Sequence, residues 1–239
     1  TNNVRYEPAM NISDLDIFIK GMGINLHIPD EKFALNSDWY KLFNDPSITK
    51  HLNHGIFPNT KENQLSFFKS SKKEGRIVLI ISSKNMFTGV INLSSINFKE
   101  RCCDIALVLK KNSNILIPLE AIALMTSHAF EKLDLERIAA EQSEELYRWQ
   151  NVMELCGYKI EGLPQKAFSK PYNKKNCVTI ACSKEDYINI CRKRGGVLWD
   201  SKEKMLKRIK KLPKNNFFKI IKYFFNKERK KYYEKIFSL

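Results

Sequence analysis

The chain has no hydrophobic run approaching the roughly 18 residues that a membrane span requires. Its opening stretch, TNNVRYEPAM, has neither the basic nor the apolar region of a secretory signal. Together these point to a cytoplasmic protein. The six cysteines, at 102, 103, 156, 177, 182 and 191, show no C-x-x-C spacing and have no pair of histidines near them. Adjacent Cys102 and Cys103 would face opposite sides of a strand and could not easily share a metal. Buried free thiols are therefore expected, with no metal. Internal repeats are also lacking. What is left is a globular chain of 239 residues, 43% hydrophobic, with enough length for one sizeable core and an extension.

Acid is scarce at one end. Residues 192–239 carry 17 Lys/Arg against 4 Asp/Glu, whereas residues 1–191 carry 24 against 22. The net charge of +15 thus belongs almost wholly to a C-terminal tail, and the main body is close to neutral.

Along that body, "INLHIP" (24–29) predicts a strand and "NSDWYKLFND" (36–45) a helix with an Asn or Ser cap, closed before Pro46. A second helix is predicted over 58–73, with Thr60 as its cap. The runs 76–82, 86–97 and 102–109 are β-rich and separated by short polar turns, which suggests an antiparallel meander. Residues 117–132 are apolar almost all round, as in a helix buried on more than one side, and Pro118 suits its first turn. A short strand (136–142), a helix begun by Ser143 and stopped by Gly157, a closing strand (175–183) and a short helix follow.

The ordered pieces "NDPSITKHL", "FTGVINLSSI", "DIALVL", "EAIALMTSHAFEKLDLERIAAE" and "MELCGYKIEG" resemble the GNAT acyltransferase superfamily. They are closest to its ribosomal-protein N-terminal acetyltransferase and amino-sugar acetyltransferase branch. The resemblance implies an α+β fold: a splayed mixed sheet of about six to seven strands flanked by helices, here with a basic helical C-terminal extension. It divides the chain into an N-terminal segment (1–23), a GNAT-like domain (24–191) and the extension (192–239). It further implies acetyl-CoA, or another acyl-CoA, as cosubstrate, seated where the sheet splays, with its pyrophosphate on the N-terminus of the following helix.

Carried over by position, the cofactor-binding residues would be Leu109, Lys110, Lys111, Ser113, Asn114, Ile115, Leu116, Ile117 and Trp149. The family's loop reads Gln/Arg-x-x-Gly-x-Gly/Ala, and here it is "SNILIP". Leu116 is expected to crowd a phosphate where glycine would admit it, and Pro118 cannot donate. Asn112 and Asn114 tolerate left-handed conformations, so the backbone can still present N–H groups. In the helix after the next strand, Leu146 and Trp149 replace the family's Asn and Ser. Asp104 matches a position that often carries the base, with a solvent-facing strand-end carboxylate as the alternative. Tyr147 is a candidate general acid or a packed aromatic. His51 and His54 follow "NDPS", where acceptors pass in this family, and are candidate acceptor contacts. His128 reads as a core residue.

In the tail, "NNFFKIIKYFFNK" sets Phe217, Ile221, Phe224 and Phe225 on one helical face with Lys219, Lys222 and Lys227 largely off it. Three uses fit: an anionic membrane surface, making the protein peripheral at the inner membrane, RNA, or packing against the main domain or a second subunit. The expected function is acetyl transfer to a primary amine of a small molecule, most plausibly an amino sugar or nucleotide-linked amino sugar of a surface glycan. A protein or peptide N-acetyltransferase, or a non-catalytic GNAT-like protein without CoA, are the alternatives.

Overall fold

In the computed structural model, residues 11–52, 54–170, 173–213 and 216–238 are described. The strands are β1 (Ile17–Lys20), β2 (Asn25–His27), β3 (Ile77–Ser83), β4 (Met86–Asn97), β5 (Cys102–Leu109), β6 (Arg137–Ser143), β7 (Lys159–Gly162), β8 (Phe168–Lys170), β9 (Asn173–Lys175) and β10 (Cys177–Ser183). The helices are α1 (Glu31–Asn36), α2 (Pro46–Thr49), α3 (Lys61–Lys73), α4 (Leu116–Glu131), α5 (Tyr147–Met153), α6 (Lys184–Lys193), α7 (Lys202–Lys211), α8 (Asn216–Phe224) and α9 (Lys227–Phe237).

Eight strands form one sheet in the order β1-β2-β3-β4-β5-β6-β10-β7, and β8 and β9 form a separate hairpin. The alternating apolar runs of β3, β4 and β5 pair as an antiparallel meander. The predicted six to seven strands become eight because two short strands that the sequence did not mark join the edges, β1 beside β2 and β7 beside β10. The predicted helix over 36–45 is corrected as well. Ser37 accepts from the Trp39 amide and starts a 3-10 turn over Asp38–Phe43, while a separate α1, capped by Asp30, precedes it. Thr60 caps α3 as expected, accepting from Asn63 N at 3.1 Å. Gly157 ends the helical segment after β6 at φ +91°, a conformation that Cβ-bearing residues resist.

The sheet separates two cores. On one face α4, α5 and the tail pack against Leu79, Ile91, Ile105 and Ile138; on the other, Phe33, Trp39, Leu42 and Phe68 pack over Ile80 and Val90. The tail's aromatic side belongs to the first core. Met205 and Phe217 are buried there, with Ile221 packed against them, so this face covers the main domain. Phe225 and the whole of α9 stay exposed. No helix among the described residues is long and apolar enough to cross a membrane.

Asp200 anchors the tail. Both its oxygens accept from Arg208 at 2.6 Å, and this ion pair holds the carboxyl down to about 2. The folded value lies below the unfolded one, so the stabilisation is present above pH 4 and is lost as pH falls through 2. Asp200→Asn is expected to lower stability by about 2 kcal/mol at pH 7, with the gap to the native chain closing in urea titrations run toward pH 2.

Candidate active site

Among the described residues the only parallel pairing in the large sheet joins β5 to β6, and it is short: Cys102 to Arg137, Cys103 to Ile138 and Asp104 to Ala139. Beyond Asp104 the two strands part. Residues 105–109 and 140–143 therefore border an opening, although each keeps its outer neighbour, β4 or β10.

The loop leaving β5 delivers the chain to the N-terminus of α4. Asn112 takes φ +62°, Ser113 Oγ donates to Lys110 O at 2.7 Å, and Asn114 Oδ1 accepts from Leu116 N at 3.0 Å. Among the described residues nothing accepts from the amides of 111–115. A run of unpartnered N–H groups at the positive end of a 16-residue helix suits an anion, so this loop can hold a pyrophosphate without glycine. The Leu116 side chain is buried in the first core at 6% exposure, because the helix turns that face inward. Lys110 also points elsewhere, its Nζ lying 4.7 Å from the centre of the Phe87 ring. Leu109, Ile117 and Trp149 pack against the first core, and Ile115 is exposed at the helix start.

One feature of this side had no signal in the sequence. Gln142, on the splayed part of β6, donates to Oε1 of Gln150 in α5, which leaves the fully buried Gln150 Nε2 without an acceptor. Such an orphan amide donor fits the amide carbonyls of a pantetheine chain. It stands one residue from Trp149, where the resemblance put the polar contact. Together with the loop amides it makes the residues present compatible with acetyl-CoA.

On the opposite face lies a cavity of about 420 Å³. Its walls are the 3-10 turn, α3, Leu52, the 54–59 segment, Arg76 just before β3, and β4 and β5, with Ala106 and Val108 contributed from the splayed part of β5. Asn44 and Asn59 brace one wall by exchanging two hydrogen bonds of 2.7 Å, and Asn59 Nδ2 also donates to Gln64 Oε1. His54 lines this cavity, its ring 5.2 Å from that of Phe43. His51 does not; its Nδ1 lies 3.7 Å from Glu145 Oε2, whose carboxylate also pairs with Lys175. Burial holds the His51 imidazole below its ordinary pKa, and Lys50 adds to this.

Asp104 is exposed and stands opposite Ser94, sharing a strand face with Ala106 and Val108. It therefore occupies the cavity side of the sheet at the point where β5 and β6 part. Tyr147 opens α5 with its ring 5.8 Å from that of Phe217. The tail thus braces it. Burial pushes the Cys103 and Cys156 thiols up to about 12, which makes them unreactive near neutrality.

A sheet parted between two parallel strands, with an anion-ready helix start on one face and a cavity on the other, is the layout of an acyltransferase. The acetyltransferase (GNAT) domain family matches residues 34–159, more than half of the chain, and the protein belongs to that family. It is accordingly an acyltransferase enzyme with an acetyl-CoA donor. Among solved structures it is similar to the microcin C7 self-immunity acetyltransferase MccE in complex with acetyl-CoA and AMP. That likeness is 20% identical, covers 68% of this chain and 93% of the other, and has a TM-score of 0.59. It also resembles RimJ of Mycobacterium smegmatis in complex with a CoA-disulfide, at 15% identity, 72% and 89% coverage and TM-score 0.62. RimL, a ribosomal-protein alpha-N-acetyltransferase, is similar at 14% identity, 71% and 94% coverage and TM-score 0.61. No curated protein matches the sequence.

Proposed function

We propose that the protein moves an acetyl group from acetyl-CoA to the primary amine of a small molecule held in the 420 Å³ cavity. The observation that carries this reading is the placement of that cavity directly beside the parted stretch of β5, with Asp104 on the same strand face. The amides of 111–115 and Gln150 Nε2 are the groups that would hold the donor, and what the donor supplies is an activated acyl thioester. Asp104 takes the proton that the attacking amine must lose, directly or through water. Tyr147, its ring against Phe217, is the group that would return a proton to the departing thiolate. The cavity is enclosed on several sides, which favours a small acceptor over a protein terminus. An amino sugar is one such amine, yet aromatic walls offer a polyhydroxylated ring few partners. The similar MccE structure is a complex with both acetyl-CoA and AMP, which supports a small acceptor with a flat ring.

Ile115→Asp tests the donor side. A carboxylate at that exposed N-cap position favours the helix but repels a pyrophosphate. The expected result is an unchanged or raised Tm with acetyl-CoA binding weakened at least tenfold by calorimetry. Unchanged affinity would place the donor elsewhere.

A further inference from the structure

The cavity next to β5 carries more information than its location. Three polar atoms on its walls are buried and have no hydrogen-bond partner: Trp39 Nε1, Gln64 Nε2 and Asn92 Oδ1. Trp39 is fully buried and Gln64 is 2% exposed, so solvent reaches neither freely. Unsatisfied buried groups of this kind are rare in folded proteins because each destabilises the fold, and several around one cavity mark a place for a polar ligand. The remaining surface is chiefly aromatic and aliphatic, with Phe43, Phe57, Phe67 and Val108 prominent. Flat rings suit such walls through stacked and edge-on contacts.

The charge on this lining is one-sided. Arg76 is among the described lining residues, none of which is Asp or Glu; Asp104 stands just beyond them on the same strand face. Arg76 gives its Nε to Glu74 at 2.7 Å, which leaves the two terminal nitrogens of its planar fork for a second oxyanion. Strand register fixes where that oxyanion would sit. Val78 pairs with Asn92 and Asn92 with Ala106, so these form one cross-strand row. The next row on the same face contains Ser94 and Asp104, and Arg76, one step before the first β3 pair, falls beside them. A cation and a carboxylate therefore stand at the same end of the cavity, separated by one strand, with roughly 10 Å between backbones two strands apart.

We infer that the acceptor is an aromatic zwitterion: a primary amine near Asp104, an oxyanion on Arg76, and a flat ring against Phe43, Phe57 and Phe67. An amino acid with a large aromatic side chain has this chemistry, and so does an aromatic amine bearing a phosphate. This inference rests on the acetyl-transfer reading for the amine's fate, but not for its binding. Polyamines are disfavoured because Asp104 is the one carboxylate at hand for several ammonium groups and Arg76 repels them. Amino sugars without an anionic group are disfavoured because they leave Arg76 without its oxyanion.

The test is calorimetric titration of the full chain, without acetyl-CoA, by L-phenylalanine, O-phosphotyramine, L-phenylalaninamide, tyramine, glucosamine 6-phosphate and spermidine. Thiol release is then measured with acetyl-CoA added. One of the two aromatic zwitterions is expected to bind at least tenfold more tightly than its uncharged-end counterpart, and which of them does so separates carboxylate from phosphate. Arg76→Met should weaken that ligand at least tenfold, leave the amide or tyramine within twofold, and be partly rescued by Arg76→Lys. Phe57→Ala, at an exposed side chain that the fold does not need, should weaken all aromatic ligands together. Tighter binding of glucosamine 6-phosphate or spermidine overturns the inference. So does equal weakening of the zwitterion and its amide by Arg76→Met, or no saturable binding by either zwitterion at 10 mM. Aromatic zwitterions that bind but release no thiol uphold the pocket chemistry and sink acetyl transfer; thiol release with a non-aromatic amine alone does the reverse.

Discussion

Asp104→Asn is expected to lower kcat by two to three orders of magnitude, the range for removing a positioned base, while leaving the affinity for acetyl-CoA unchanged. The substitution keeps the shape of the side chain and removes its ability to take a proton. Because Asp104 is exposed, Tm should stay within the small range of ordinary surface changes. A structural role would instead move Tm. Retention of kcat in this variant would pass the role to another group, and Glu141 is placed for it. It sits on β6 beyond Ala139, the partner of Asp104, and on the same face by alternation.

The second large effect falls far from the chemistry. Glu120 of α4 is 3% exposed, and its carboxylate accepts from Met22 N at 2.6 Å and from Gly23 N at 3.0 and 3.1 Å. The turn can come this close because residues 21 and 23 lack side chains. A Cβ would lie 2.7 Å from Glu120 Oε1 at Gly21 and 2.9 Å from Oε2 at Gly23. Glu120→Ala leaves both amides without an acceptor and should destabilise the chain by about 3 kcal/mol, measured from urea midpoints. Glu120→Gln discriminates. Burial raises the Glu120 pKa, and the two backbone amides oppose this only in part. A folded value above the unfolded one means that its stabilisation is complete below the unfolded pKa and declines as pH rises through the folded one. Glutamine keeps an acceptor without the buried charge, so its stability relative to the native chain should improve between pH 4 and pH 8. A Glu120→Gln variant as unstable as Glu120→Ala at every pH would show that charge is required.

Much of this architecture could be read from residue order. The meander of β3, β4 and β5, the all-apolar α4 and the Ser143 and Gly157 boundaries follow from local patterning and turn chemistry. What escaped depends on distant pairing. β1 is only four residues long, IFIK, and exists because β2 offers it an edge. The Glu120 clamp links residues about a hundred positions apart. The loop before α4 looked defective because the sequence lacks glycine at Ser113–Pro118. Asn112 takes a left-handed conformation in that loop, which leaves its amides as candidate anion donors. The inward phase of Leu116 was hidden as well, since residue order does not convey phase at a helix start. The orphan atoms around the cavity could not be read at all, since Trp39, Gln64 and Asn92 are ordinary core and strand residues until three elements meet.

Because the eight-stranded sheet stands between the cavity and the start of α4, the sites proposed for amine and donor open on opposite sides and meet only through the gap between β5 and β6. On that proposal neither substrate has to leave before the other arrives. The enzyme would load in either order and form a ternary complex, with no acetylated intermediate on the protein required. Each spent product departs by the route its precursor used. Free CoA should accordingly compete with acetyl-CoA and not with the amine, and the acetylated amine should compete only with its parent.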